Sequence, residues 1–161
     1  MYTEHTFDAF YRKDSRVLIL GTMPSPKSRE EGFYYAHPQN RFWRIMADLF
    51  GEKPFENLQE KVAFLEKHKI ALWDVLFSCE IEGAEDSSIK NPKPNNINRI
   101  LLGADIKAIF TTGKKAQDLY RRYCFVDTKR EAIALASTSP ANCRMKYDEL
   151  LEEYKIILRY L

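Results

Sequence analysis

The chain has 161 residues with 25 Lys and Arg against 23 Asp and Glu, a formal net charge of +2, so the whole-chain field is too weak to announce a nucleic-acid partner and only local basic clusters can do so. Its length, with 45% hydrophobic and 30% charged residues, suits one domain spanning 1–161 that buries roughly 70% of the unfolded surface. No run approaches the ~18 apolar residues of a membrane span, and Cys79, Cys124 and Cys143 are far apart with no CxxC spacing, which argues against a disulfide framework or a zinc or iron–sulfur site and for a reducing, cytoplasmic setting.

Residues 1–15 mix aromatics with charges and hold no apolar h-region of a leader. Phe7, Phe10 and Tyr11 have helical spacing, so a short helix or packed arm without chemistry is expected there. Val17-Leu18-Ile19-Leu20 is a continuous apolar run closed by Gly21, which predicts a strand buried on both faces of a sheet. About twenty residues of loop then precede the next helical pattern, a length that in compact domains is functional or disordered. The five aromatics between Phe33 and Trp43 argue against disorder.

Arg41 to Phe50 predicts a buried helix through Phe42, Trp43, Ile45, Met46 and Leu49, stopped by Gly51. Asn57 to Lys69 reads as a second helix and Ile70 to Val75 as a second strand. Ser78 to Asn98 is polar and holds two prolines and a glycine, which predicts a long loop. Ile97 to Leu102 follows as a short helix, Ile106 to Thr112 as a third strand, Gly113 to Tyr123 as a helix and Ala132 to Ala136 as a fourth strand. From Tyr147 to Leu161 the apolar residues keep the spacing of a terminal amphipathic helix.

Alternating strands and helices imply an α/β layered fold with a mainly parallel sheet of about four strands and right-handed crossovers. Ligands of such sheets bind at the carboxyl ends of the strands. The loops Thr22–Asn40, Ser78–Asn98 and Ser137–Arg144 should therefore meet at one edge. Gly21-Thr22-Met23-Pro24-Ser25 lacks both GxGxxG and GxxxxGK[ST], so a nucleotide cofactor is poorly supported. His37 has no second ligand at metal spacing. Asn40 is either a helix N-cap behind Pro38 or an amide that bonds a base edge or positions a water. Tyr34 and Tyr35 are either buried or available for base stacking. Ser137 to Asn142, with Arg144 and Lys146 behind it, suits phosphate contacts and equally an ordinary strand-to-helix turn.

Taken together, GTMPS at a strand end, GFYYAHPQNRFW, and STSPAN after the last strand resemble the uracil-DNA glycosylase superfamily, in particular its mismatch-specific and hypoxanthine-removing branches. The resemblance extends through ALWDV and FTTGKKA and covers nearly the whole chain. It implies a three-layer α/β/α sandwich, a damaged or deaminated base flipped out of DNA, and hydrolysis of its N-glycosidic bond without cofactor or metal, by a monomer. It makes Asn40 catalytic, places Tyr35 as the stacking residue in a base pocket with Gly21, Thr22, Met23, Pro24 and Asp74, and assigns DNA contacts to Ser25, Lys27, Ser28, Ser137, Thr138, Ser139, Pro140, Asn142, Arg144 and Lys146. Mismatch-specific relatives carry a catalytic Asn where this chain has Met23, whose thioether cannot act as an amide. The hypoxanthine-removing branch depends instead on the Asn of P-x-N-R-F-W, which is Asn40. The expected function is excision of hypoxanthine from deoxyinosine-containing DNA; a G:U or G:T mismatch glycosylase and a non-catalytic DNA- or nucleotide-binding domain are the alternatives.

Overall fold

A computed structural model describes residues 1–161. Four strands, β2 (Val17–Gly21), β3 (Ile70–Asp74), β6 (Ala108–Thr112) and β7 (Ala132–Leu135), form a parallel sheet in the order β3-β2-β6-β7. All five residues of β2, of β3 and of β6 are buried, as continuous apolar runs in a sheet covered on both faces require. The flanking helices are α1 (Pro26–Glu31), α2 (Phe42–Leu49), α3 (Leu58–His68), α4 (Asn98–Gly103), α5 (Lys114–Leu119), α6 (Phe125–Thr128) and α7 (Tyr147–Tyr154). One hydrophobic cluster of 35 buried residues joins sheet and helices. No helix is long and apolar enough to cross a membrane.

Of the two forms expected for residues 1–15 the packed arm is found, and the single loop expected over 78–98 is overturned. Residues 1–15 form no helix: β1 (Tyr2–Glu4) pairs antiparallel with β4 (Leu76–Glu80), and Phe10 bridges Leu72 through two backbone bonds of 2.9 Å, closing the open edge of β3. Cross-strand pairing outweighs the helical spacing of the aromatics. The segment 78–98 is likewise not one loop, because β4 runs into it and β5 (Lys90–Pro94) pairs back on β4. Pro92 and Pro94 mask this strand in the sequence. Prolines are tolerated here because β5 is the edge of a second, antiparallel sheet ordered β1-β4-β5.

Smaller differences follow from local geometry. The first loop contains α1, capped by the Ser25 side chain and closed by Gly32 at φ 75°. The helix expected after Gly113 continues through a π-turn over Tyr120–Cys124 into α6. The terminal helix tightens to 3₁₀ over Lys155–Tyr160.

The corner between the two sheets positions the site. Buried Asn95 donates through Nδ2 to the carbonyls of Asp74 (2.9 Å) and Leu76 (3.0 Å), while the Val75 and Leu76 N–H groups donate to Gly21 and Thr22 at 2.8 and 3.1 Å. The chain thus leaves the parallel sheet at Asp74 with its backbone groups satisfied, and the carboxyl ends of β2 and β3 stay level, Gly21 opposite Asp74.

Candidate active site

At the carboxyl ends of the parallel strands lies a cleft of about 740 Å³. Each of the three loops expected there contributes. The first supplies Gly21, Thr22, Met23, Pro24, Ser25, Ser28, Tyr35 and Asn40; β3 and the segment after β4 supply Asp74 and Asp86; the last supplies Ser137, Thr138, Ser139, Pro140 and Asn142. Of the residues singled out in the sequence, Lys27, Arg144 and Lys146 lie outside it. Lys27 pairs with Glu31 at 3.4 Å on the surface of α1. Arg144 and Lys146 are exposed beside the last loop.

The floor depends on a glycine. A Cβ on Gly21 would stand 2.5 Å from Asp74 Oδ1 and 3.3 Å from Tyr35 Oη, so any side chain there would displace both polar groups. Tyr35 itself adopts φ 54°, a left-handed conformation that is uncommon for an aromatic residue and must be held by its surroundings. Its ring stacks on Phe42 with centroids 3.9 Å apart and planes 16° from parallel. Its hydroxyl is 3.2 Å from Thr112 Oγ1, which in turn lies 3.4 Å from the Leu20 carbonyl. Burial, then the charge of Asp74, pushes the Tyr35 hydroxyl well above its ordinary pKa. It therefore remains a neutral donor, on a ring backed by fully buried Phe42. Tyr34, by contrast, is a core residue: its hydroxyl donates to the Asp8 carbonyl at 2.9 Å and its own carbonyl accepts from Trp43 Nε1 at 3.0 Å.

Asn40 uses half of its amide for structure. Oδ1 accepts from the Phe42 N–H at 2.9 Å, satisfying one of the free donors at the start of α2, although the residue next to the helix is Arg41. That bond orients the carboxamide and leaves Nδ2 without a protein partner at the cleft wall. The two readings of Asn40 are thus compatible: the acceptor supports the helix and the donor is free.

The last loop is a chain of turns. Ser137 Oγ accepts from the Ser139 N–H and Ser139 Oγ from the Ala141 N–H, both at 3.1 Å, and Asn142 Nδ2 returns to the Ser137 carbonyl at 3.0 Å. Pro140 and Ala141 are left exposed at its tip. Ser28 is similarly committed, with Oγ accepting from the Ala36 N–H at 3.0 Å.

Four contributors escaped the sequence reading: Arg41, which ties the last loop to α2; Thr112, which touches Tyr35; Asp86 on the wall after β4; and His5, bonded to Asp74. Thr112 was within reach, since it ends the third strand. The charged residues lining the cleft are Asp74, Glu85 and Asp86, with no Lys or Arg. The interior field therefore favours positive charge and disfavours anions.

The parallel α/β sheet thus carries at its strand ends a cleft furnished with an aromatic ring backed by Phe42 and an amide donor that has no protein partner. Comparison with known proteins gives the family. A model of the uracil DNA glycosylase superfamily matches residues 9–160, and the chain belongs to that superfamily. It is similar to a hypoxanthine DNA glycosylase of Methanosarcina acetivorans, 30% identical over 96% of this chain and 97% of the relative, and to another of Methanosarcina barkeri, 34% identical over 65% and 67%. Its structure resembles the solution NMR structure of a candidate uracil DNA glycosylase from Methanosarcina acetivorans, with a TM-score of 0.83, 28% identity and coverage of 99% and 98%.

Proposed function

We propose that the chain is a monofunctional DNA repair glycosylase that excises a deaminated base, hypoxanthine in deoxyinosine-containing DNA, acting as a cytoplasmic monomer. Two relatives named as hypoxanthine DNA glycosylases support the substrate. The observation that carries the reading is the pairing, in one cleft, of the Tyr35 ring stacked on Phe42 with the free Nδ2 of Asn40.

A base inside a duplex is out of reach, so it must be flipped out at a cost of a few kcal/mol, repaid by stacking and hydrogen bonds in the pocket. Stacking on Tyr35 supplies roughly 1–3 kcal/mol. The exposed Pro140-Ala141 tip fills the gap left in the duplex. As the C1′–N9 bond breaks, its electron pair moves onto the purine and the sugar becomes oxocarbenium-like. Asn40 Nδ2 donates to the departing base, where negative charge grows, while the carboxylates of the cleft stabilise the cationic sugar. Water then adds at C1′ and the proton it loses ends on the departing purine, leaving an abasic site and neutral free hypoxanthine. Met23 offers neither donor nor strong acceptor at the place of an amide, which favours a purine able to take a proton on its own ring nitrogen over uracil.

Duplexes carrying a single inosine, uracil, xanthine or ethenocytosine, treated with alkali after incubation, test the reading. Inosine should be cut fastest, with no strand scission before alkali. Robust cutting at uracil with none at inosine would overturn the substrate, and no cutting of any duplex would leave a binding domain on the same scaffold.

A further inference from the structure

His5 reaches the cleft from the far end of the chain. Its N–H donates to the Phe77 carbonyl at 2.7 Å, continuing the pairing that sets Thr3 against Cys79 and Glu4 against Ser78. The ring turns inward between Phe7 and Tyr34, at centroid distances of 4.8 and 6.1 Å. Its side chain is 2% exposed, and Nε2 lies 2.8 Å from Oδ2 of Asp74, whose side chain is 5% exposed. His5 Nδ1 is buried without a partner.

These contacts fix the direction of the bond. An ionised carboxylate has no proton to give, so the hydrogen is on Nε2 and His5 donates. The opposite tautomer would leave a buried Nδ1–H with no acceptor, which is costly. Asp74 then has its two oxygens in different situations. Oδ2 is taken by His5, whereas Oδ1 has no protein partner and stands over Gly21 at the cleft floor.

We infer that His5 is a positioning residue: its Nε2–H holds the Asp74 carboxylate in the one rotamer that directs Oδ1 into the cleft. The inference rests on the proposed reading only in that a flipped base is what Oδ1 meets. Two features support positioning over plain packing. An apolar ring would fill the pocket between Phe7 and Tyr34 equally well, so packing gives no reason for an imidazole that leaves one nitrogen unsatisfied. The arm is also placed by its own backbone pairing with β4, independently of the side-chain bond. A carboxylate deprived of its only side-chain donor at 5% exposure would turn to recover hydrogen bonds, and preorganisation of the floor would be lost.

The test compares His5→Phe, which keeps a ring and removes the donor, with His5→Gln, whose amide Nε2 can reach the same oxygen. Single-turnover excision of inosine at saturating enzyme should fall roughly 10- to 100-fold in His5→Phe, the effect expected of losing a hydrogen bond to a charged group. His5→Gln should recover to within about threefold of wild type. Affinity for an undamaged duplex should be unchanged in both. A structural role would lower melting temperature in both variants without separating their rates, and equal rates in the two folded variants would overturn the inference. One measurement needs no substrate: in 15N spectra of the wild type His5 Nε2 should carry a proton that exchanges slowly with solvent. An Nε2 that carries no proton would overturn the inference even if excision is robust. Absence of excision beside the expected spectrum would instead count against the glycosylase reading.

Discussion

Arg41 fastens Asn142, about a hundred residues away in sequence, by donating from Nη2 to its carbonyl at 2.8 Å. The same nitrogen also reaches the Ser139 carbonyl at 3.1 Å, Nη1 reaches Met145 at 2.9 Å, and the Arg41 backbone N–H donates to Thr138 at 3.1 Å. The residue after Asn40 thereby sets where the exposed tip at Pro140 and Ala141 stands relative to the amide. The three carbonyls are divided between the two terminal nitrogens of a rigid planar fork, a geometry that the single ammonium of a lysine, with its three donors on one nitrogen and a flexible stem, does not reproduce. Arg41→Lys should therefore lower single-turnover excision by roughly tenfold or more, at a stability cost of about 1–3 kcal/mol. Hydrogen exchange of residues 139–145 should quicken in parallel. Unchanged exchange there, with a rate within twofold of wild type, would remove Arg41 from the site.

For Asn40 the informative variant is Asn40→Asp. It preserves an acceptor for the Phe42 N–H and adds negative charge at the start of α2, which stabilises by about 0.3–1 kcal/mol. It also removes both Nδ2 donors. Melting temperature should hold or rise, while excision should fall about 10²- to 10³-fold, as expected when a donor to developing charge is lost. Asn40→Ala should lose the rate and ~1 kcal/mol of stability together. An Asn40→Asp rate within a few fold of wild type would leave the residue as a helix support only.

How much of this was legible in the sequence depended on whether a residue's partner was local. The apolar runs of β2, β3 and β6 predicted the parallel sheet, and the rule for strand ends placed Gly21, Asp74 and the last loop at one edge. Asn40 was visible because both its readings are written in its neighbours. His5 was not, since its value lies in a bond to Asp74, 69 residues on, and a lone His in an aromatic arm carries no local signal. Arg41 read as an ordinary first residue of a helix because its acceptors are backbone carbonyls, which leave no side-chain signature. β5 was hidden by its prolines, which matter little at an edge. The cluster from Phe33 to Trp43 announced itself, but only the fold shows that Tyr35 is backed by Phe42 while Tyr34 belongs to the core.

The cleft is lined by acidic side chains and no Lys or Arg, and Arg144 is exposed beside its last loop, so a phosphate contact is expected at Arg144 and not inside the cleft. Arg144→Ala should weaken binding to damaged and undamaged duplexes alike. The slope of log affinity against log salt should shrink by ~0.9 for one lost phosphate contact. An unchanged slope would place Arg144 away from DNA.

Stability should also carry a specific acid dependence. Glu52, between α2 and α3, accepts from His68, and Lys67 Nζ is 3.4 Å away. The His68 bond is the largest influence and, with the charges of Lys67 and His68, holds the carboxyl below its ordinary range against the opposing effect of burial. A carboxyl depressed on folding stabilises the protein above its unfolded pKa and ceases to do so as pH falls through the folded value. Glu52→Gln should therefore lower the unfolding free energy near pH 6–7 by an amount on the order of 1 kcal/mol, read as a lower melting temperature, and the difference should vanish in strong acid, below both carboxyl pKa values. A gap that persists there would show that the side chain acts by packing.

Met23 offers the sharpest test of substrate choice. It is half-buried, lines the cleft and packs against the core, two positions after the glycine that makes room for Asp74 and Tyr35. A uracil leaving group concentrates negative charge on its oxygens and needs a donor there, which a thioether cannot supply. A purine can be neutralised at its own ring nitrogen and depends less on this position. Wild type should therefore excise little uracil. Met23→Asn should gain measurable activity on G·U duplexes while keeping a substantial part of its activity on inosine, because Asn40 and the Tyr35 platform are untouched. Circular dichroism and melting of the variant establish that the loop tolerates the shorter polar side chain. A folded Met23→Asn protein with no gain on uracil would mean that the barrier lies elsewhere in the cleft, and equal wild-type rates on uracil and inosine would remove the link between Met23 and base choice.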